Sequence, residues 1–127
     1  MKNISYLSLG SNIGNRYNNL KLAINHLSNI KLIDVVSKSH IYESEPLYNS
    51  SQNNFYNNII KIKTSLMPIS LLKFCKEIEN RMGRKKIVEK NMPRIIDIDI
   101  ITYNSKIIHS VELTIPHPKL YERKFVL

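Results

Sequence analysis

The chain has 127 residues, enough for one compact domain and too few for two independent hydrophobic cores. Hydrophobic residues make up 43% of the sequence and charged residues 23%, a balance that excludes an intrinsically disordered chain. The formal net charge of +9 favours an anionic partner, such as a nucleotide, a nucleic acid or a membrane surface, and charge alone does not choose among them.

The N-terminal part of the sequence predicts a strand, a turn and a helix. Apolar residues alternate over 4–9, which is typical of a strand. Residues 10–15 are rich in Gly and Asn and predict a turn. From residue 17 onward apolar side chains recur at helical spacing, and Asn15 is positioned to cap this helix.

The middle of the sequence predicts two strands and a second helix. Segments 32–42 and 55–62 are rich in β-branched residues and flank a polar loop, so we expect them to pair as an antiparallel hairpin. The helix is expected over 68–82, with Gly83 at its end. Its apolar stripe includes Cys75, the only cysteine, which we therefore assign to core packing.

The C-terminal part begins with a basic, polar segment, 84–93, that predicts a loop. Segment 95–103 is the most strand-like of the chain, and a turn, a short strand near 106–108 and an extended segment over 114–118 follow. The order β, α, β, β, α, β predicts a ferredoxin-like α+β fold, in which a mainly antiparallel sheet carries both helices on one face.

The sequence does not indicate a membrane or a secreted protein. Its apolar stretches are short compared with the ~20 residues of a membrane span. Its first residues lack the pattern of a secretory signal. We therefore expect a cytoplasmic protein.

Two aspartates on the last long strand give the most informative functional signal. Asp97 and Asp99 alternate with Ile98, so on a strand both carboxylates project from the face opposite the core. Charges about 5 Å apart repel by roughly 3 kcal/mol at an effective dielectric of about 20, so a cation is expected nearby. Mg²⁺ suits such a pair, because it takes one or two carboxylates and fills its shell with water and substrate phosphates. The spacing alone is equally compatible with the solvated face of an amphipathic strand.

Basic residues upstream of the aspartates favour phosphate chemistry. Arg84, Lys86 and Arg94 lie in or next to the predicted loop, where they could grip phosphate oxygens. A carboxylate pair beside such a loop is what metal-assisted phosphoryl transfer requires. A solvated basic loop without a ligand is the alternative, and the absence of a Walker A sequence excludes a P-loop.

Several ordered segments of the chain form a family pattern. They are LGSNIGNR at 9–16, FYNN at 55–58, GR at 83–84, KNMPRIIDIDII at 90–101 and LTIPHP at 113–118, followed by Arg123 and Phe125. Together they resemble the 6-hydroxymethyl-7,8-dihydropterin pyrophosphokinase family of folate biosynthesis over nearly the whole chain. The resemblance implies a Mg-dependent diphosphokinase that transfers pyrophosphate from ATP to the hydroxymethyl dihydropterin and releases AMP.

The resemblance also implies roles at the phosphates. Asp97 and Asp99 would bind two Mg²⁺ ions that bridge ATP to the pterin. Arg84 and Arg94 would contact the triphosphate and stabilise the transferring group. The other implied ATP contacts are Glu79, Lys86, Ile100, Thr114, His117 and Arg123.

The pterin site follows from the same resemblance. Phe55 and Phe125 would sandwich the flat ring, as the stacking preference of aromatic surfaces favours. Asn57 would read the edge of the ring with its amide, and backbone groups around Ser44 and Leu47 would assist. Without the resemblance, the two phenylalanines would be interpreted as core residues.

Two alternatives remain open at this point. A basic ferredoxin-like module that binds RNA is one, although a carboxylate pair facing phosphates argues against it. A catalytically impaired relative is the other, because family members generally continue beyond the position of Leu127. Residues 1–127 are thus either a minimal single domain or a domain that lacks the usual C-terminal segment. We expect small-molecule substrates, no nucleic-acid or membrane partner, and a monomer.

Overall fold

The computed structural model of the protein describes residues 1–46, 52–83 and 93–117. In chain order the elements are β1 (Asn3–Ser11), α1 (Arg16–Ser28), β2 (Ile33–Lys38), β3 (Tyr42–Ser44), β4 (Phe55–Thr64), α2 (Pro68–Arg81), β5 (Asp97–Tyr103), β6 (Ile108–His109) and β7 (Thr114–Ile115). Most of the predicted loop over 84–93 lies outside the described residues.

The main sheet has the strand order of a ferredoxin-like fold. Within the described residues the strands run β2, β4, β1, β5 across the sheet, with β3 also paired to β4. Every pairing is antiparallel, including that of the separate β6–β7 pair. α1 packs on β1, β2 and β4, and α2 packs on β5 and α1. The predicted fold class is confirmed.

Alternation along the central strands places one face of the sheet in the core. Leu7 and Leu9 of β1 are fully buried, and each lies across from a buried partner, Ile60 and Ile98 respectively. They share one cluster with the apolar faces of both helices. The helix residues of this cluster are Leu20, Ala23, Leu27, Leu71, Cys75 and Ile78. Both helices therefore cover the same face, and the opposite face is left for polar side chains.

The two predicted helices are confirmed, together with the signals that start and end them. The Asn15 side chain accepts a hydrogen bond from the Asn18 amide at 3.0 Å, which satisfies one of the N–H groups of the first turn of α1. Pro68 opens α2, where its missing N–H is not needed. Gly83 ends this helix with φ of +105°, a conformation that glycine adopts readily. Neither helix of the described ranges is long and apolar enough to cross a membrane.

The predicted turn at 10–15 begins later than expected. Gly10 and Ser11 remain in β1, because Gly10 is paired with Asn57 on one side and with Asp97 on the other. Pairing on both sides overrides the weak local strand tendency of glycine. The last two residues of β1 therefore belong to the sheet.

The predicted strand over 32–42 is two strands, β2 and β3, that both pair with β4. The break lies at Ser39, whose hydroxyl accepts the hydrogen bond of the Ile59 amide at 2.9 Å. A side-chain oxygen thus replaces a backbone carbonyl at this point of the ladder. The predicted antiparallel pairing with segment 55–62 is confirmed.

We expect Cys75 to be unreactive in the folded protein. It is fully buried, and burial raises the pKa of its thiol, as do the carboxylates of Glu79 and Asp99, so little thiolate forms. Iodoacetamide at mildly alkaline pH should leave the native chain unlabelled by mass spectrometry and label it once in denaturant. Rapid labelling of the native chain would contradict the core assignment.

Candidate active site

The sheet face opposite the helices brings the predicted pterin and metal residues into one row. Gly10 of β1 is paired with Asn57 of β4 on one side and with Asp97 of β5 on the other. Two positions earlier on β1, Ser8 is paired with Asp99. Paired residues share a face, and two strand spacings separate Asn57 from Asp97 by about 10 Å between Cα atoms. The register alone therefore assembles these residues around Gly10.

The predicted pterin residues of β3 and β4 are in contact with one another. The Asn57 side chain is buried, and its Nδ2 donates to Ser44 Oγ at 2.8 Å and to the Tyr42 carbonyl at 3.3 Å. Ser44 lies directly across from Phe55. A Cβ at Gly10 would stand 2.9 Å from Asn57 Oδ1 and 3.3 Å from Phe55 Cδ1. The amide and the ring thus lie over the backbone of β1, where only glycine leaves room for them.

The two aspartates occupy the strand face that the sequence predicts. Asp97 and Asp99 are partly exposed, whereas Ile98 and Ile100 are 4% and 2% exposed and belong to the core. Because the Ile100 side chain points into the core, a nucleotide contact at this position would involve its backbone. The alternation of β5 therefore separates a carboxylate face from an apolar face within consecutive residues.

Glu79 of α2 contacts the backbone of β5 at Ile98, between the two aspartates. The residue is 5% exposed, and its carboxylate accepts a hydrogen bond from the Ile98 amide at 2.8 Å. The hydrogen bond holds the backbone of β5 between the two aspartates. A buried carboxylate bonded in this way fixes the strand on the side that β1 does not cover.

A β-bulge brings His117 to Asp99. Tyr6 pairs with Thr102 and Leu7 with Ile100, so Ile101 is an extra residue in β5. The Ile101 carbonyl accepts the His117 amide at 3.0 Å, and His117 Nε2 then lies 3.7 Å from Asp99 Oδ1. Bulges of this kind commonly re-aim chains next to functional sites. Thr114, another predicted ATP contact, is partly exposed on β7, which packs against β5.

Arg94 has the features expected of an anion-binding residue. Asn12 holds the Arg94 backbone through two hydrogen bonds. The backbone N–H of Asn12 donates to the Arg94 carbonyl at 3.0 Å, and the side-chain Oδ1 of Asn12 accepts from the backbone N–H of Arg94 at 2.7 Å. Within the described residues its Nη1 atom is buried and has no hydrogen-bond partner. A buried guanidinium nitrogen without a partner is costly, and a phosphate oxygen would satisfy it.

The part of the chain that the structure describes forms no closed protein cage for a metal. Among the described residues no group of three or more His, Cys, Asp or Glu side chains is arranged to hold an ion. Asp97 and Asp99 fit instead the kind of open site in which Mg²⁺ shares its coordination with water and substrate oxygens. Some predicted site residues lie outside the described residues: Leu47, Arg84, Lys86, Arg123 and Phe125.

Two residues of the site were not singled out from the sequence. Gly10 and Asn12 were assigned to a turn and to the family motif at 9–16 without a role in the site, yet Gly10 underlies the Asn57 amide and Asn12 is 1% exposed with several hydrogen bonds. A glycine at the end of an apolar strand is a signal for a close backbone approach. For Asn12 no such local signal exists, because its partners are distant in sequence.

The described fold and site define a class of protein. It is a ferredoxin-like α+β protein whose open sheet face places a carboxylate pair and a buried guanidinium beside an amide and an aromatic ring. Such a face suits a phosphorylated ligand bound next to a flat polar one.

Comparison with known proteins then identifies the family. Residues 6–127 match the model of 7,8-dihydro-6-hydroxymethylpterin-pyrophosphokinase (HPPK), and the chain belongs to this family. It is 42% identical over 127 residues to 2-amino-4-hydroxy-6-hydroxymethyldihydropteridine pyrophosphokinase of Bacillus subtilis, covering 100% of this chain and 75% of that protein. The resemblance drawn from the sequence motifs is confirmed.

Larger proteins contain a similar unit. Folic acid synthesis protein fol1 of Schizosaccharomyces pombe is 46% identical over 124 residues, which are 98% of this chain and only 17% of that protein. The fold matches the crystal structure of Plasmodium falciparum HPPK-DHPS with a TM-score of 0.71 at 19% identity, over 98% of this chain and 38% of that one. This chain therefore spans less than a fifth of fol1 and less than half of the HPPK-DHPS chain.

We expect Gly10→Ala to destabilise the protein. The added Cβ would displace the Asn57 amide, which cannot move without loosening its bond to Ser44, and such overpacking costs about 1 kcal/mol or more. The measurement is the urea midpoint of unfolding. Ser8→Ala, on the same strand and face, adds no atom and serves as the control. An unchanged midpoint in Gly10→Ala would contradict the close approach.

Proposed function

We propose that this chain transfers pyrophosphate from ATP to 6-hydroxymethyl-7,8-dihydropterin, giving AMP and the dihydropterin diphosphate used in folate synthesis. Membership of the HPPK family supports the reaction class. The observation that carries the proposal is the shared row around Gly10, with the Asn57 amide on one side and the Asp97 carboxylate on the other.

The pterin side of the proposed site is built by β3 and β4. The Asn57 amide is held by Ser44, so its orientation is set before a ligand binds. An amide can match both donors and acceptors of a pterin edge, and the adjacent Phe55 ring offers a surface for stacking. A ring bound over Gly10 can direct its hydroxymethyl group along the row toward β5.

The phosphate side is built by Arg94 and by the segment that ends at His117. The buried Nη1 of Arg94 has a hydrogen bond to give, and a guanidinium stabilises phosphate charge strongly in a site from which water is excluded. His117, held by the Ile101 carbonyl, is 19% exposed in its side chain and lies beside Asp99, from which it can contact the nucleotide.

We assign Asp97 and Asp99 as the ligands of Mg²⁺. When bound, Mg²⁺ neutralises the charge of phosphate oxygens and helps to orient them. The residues of the chain then supply positioning: they hold the hydroxymethyl oxygen in line with the β-phosphorus of ATP. A new bond forms between these atoms, the hydroxyl proton is released to water, the bond from the β-phosphorus to the oxygen of the α-phosphate breaks, and AMP leaves with that oxygen.

The first test is the identity of the product. Incubation of the protein with ATP, magnesium and 6-hydroxymethyl-7,8-dihydropterin should yield AMP in equal amount to the dihydropterin diphosphate, and a chelator should stop the reaction. Separation of the nucleotides by chromatography measures this. Formation of ADP instead would make the protein an ordinary kinase and refute pyrophosphoryl transfer. Salt-sensitive RNA binding without product would favour the RNA-binding alternative.

The second test addresses the carboxylates. Asp97→Asn and Asp99→Asn keep the shape of each side chain and remove its charge, so we expect kcat to fall on the order of 100-fold or more. The urea midpoint should change little, because both side chains project from the open face of the sheet. Asp34→Asn, at an exposed position of β2, is the matched control and should retain activity. Unfolding of either site variant would make these carboxylates structural.

A further inference from the structure

Asn12 makes hydrogen bonds to two segments that are far apart in sequence. Its Nδ2 donates to Gln52 Oε1 at 3.0 Å and to the Asn53 carbonyl at 3.3 Å. Its Oδ1 accepts a hydrogen bond from the backbone N–H of Arg94 at 2.7 Å, and the backbone N–H of Asn12 donates to the Arg94 carbonyl at 3.0 Å. The side chain thus uses its donors on one segment and its acceptor on the other.

The chemistry of this position requires an amide. Asn12 is 1% exposed, so a polar group here that lost a partner would cost free energy that water could not return. A carboxylate of the same shape would accept from Arg94 but could not donate to Gln52 or Asn53. An apolar side chain would do neither. The amide therefore sets the distance between the two segments as well as their hydrogen bonding.

The two segments lead directly into the two halves of the proposed site. Residues 52–53, the pterin-side segment, precede Phe55 and Asn57, the residues assigned to the pterin. Arg94 carries the buried Nη1 atom assigned to phosphate and precedes Asp97 on β5. Asn12 itself directly follows the strand that contains Gly10.

In the described part of the chain, the side chains of Arg16 and Asn19, which lie near Asn12 in the sequence, do not connect the two segments. Arg16 Nη1 donates to the Asn54 carbonyl at 2.8 Å, and its guanidinium lies 4.0 Å from the centre of the Tyr56 ring, so within the described residues Arg16 holds Asn54 and Tyr56 and makes no bond to Arg94. Asn19 Nδ2 donates to the Ile13 carbonyl at 2.9 Å and to Ser11 Oγ at 3.1 Å, so among the residues that the structure describes its side chain holds the turn alone. Among these three side chains, Asn12 is the one that bridges the pterin-side segment and Arg94.

We infer that Asn12 is a positioning residue for pyrophosphoryl transfer, which holds the pterin-side segment and Arg94 at a fixed separation. This inference rests on the proposed function. Asn12 acts through its two partners, because in-line attack requires the hydroxymethyl oxygen and the bound phosphate to be held close together. Its loss should therefore lower the rate of the reaction in the ternary complex more than the binding of either substrate alone.

The experiment compares steady-state kinetics of AMP formation for the wild type, Asn12→Ala and Asn19→Ala. Asn19→Ala also removes two side-chain hydrogen bonds of this turn and is the matched control. At a temperature well below unfolding we expect Asn12→Ala to lower kcat about 10- to 100-fold with smaller changes in the two KM values, and Asn19→Ala to keep kcat. Equal kcat values in the two variants would overturn the positioning role.

Further variants separate the hydrogen bonds of Asn12 to residues 52–53 from those to Arg94. They also cover the case in which Asn12→Ala does not fold. Asn12→Asp keeps the acceptor for Arg94 and loses the donors to residues 52–53, so we expect an intermediate fall in kcat. Adding Gln52→Ala to Asn12→Asp should lower kcat less than Gln52→Ala does in the wild type, because the two residues share one contact. Wild-type kcat in Asn12→Asp, or full additivity, would overturn the inference.

The wild-type assay keeps this test distinct from that of the function. If the wild type forms no AMP, the proposed function fails. If the wild type forms AMP and the Asn12 variants match the Asn19 control, only the positioning role fails.

Discussion

The pairing of β1 between β4 and β5 is the constraint on which the site depends. The residues that flank Gly10 in this register belong to strands separated by a helix and many residues of sequence. The same pairing puts Leu7 and Leu9 into the core, so the hydrophobic alternation that stabilises the sheet also orients the polar row. A slip of one residue between β1 and β5 would turn the carboxylates toward the helices, and a slip between β1 and β4 would turn the Asn57 side chain toward them. The same strand register therefore determines both the packing of the core and the assembly of the site.

Charge is distributed unevenly in this protein. The chain is strongly basic, with a formal net charge of +9, yet Asp97 and Asp99 lie on the open face of β5, and the Glu79 carboxylate of α2 accepts the Ile98 amide between them. The raised pKa of the Cys75 thiol reflects burial first and then the carboxylates of Glu79 and Asp99. Under the proposed function, carboxylates on a basic protein suit a polyphosphate bound with divalent cations, since the carboxylates would face the cations and Arg94 would face the anion.

Buried polar groups fix the backbone of the segments that carry the site residues. Glu79 secures the backbone of β5 between the aspartates, the bulged Ile101 secures His117, and Asn12 joins Arg94 to residues 52–53. Such groups are stable only when their hydrogen bonds are made, so each tolerates a single arrangement of its partners. The open face of the sheet can thus present side chains that are already positioned for substrates.

Sequence by itself determined the helices, the long strands, the fold class and the face of β5 that carries Asp97 and Asp99, because these follow from local periodicity and caps. Motif resemblance added the family. The length of β1, the division at Ser39, the bulge at Ile101 and the hydrogen-bond partners of Asn12 were decided only by tertiary structure. Each of these depends on hydrogen bonds between residues distant in the chain, and no local pattern encodes which distant group will meet a given amide.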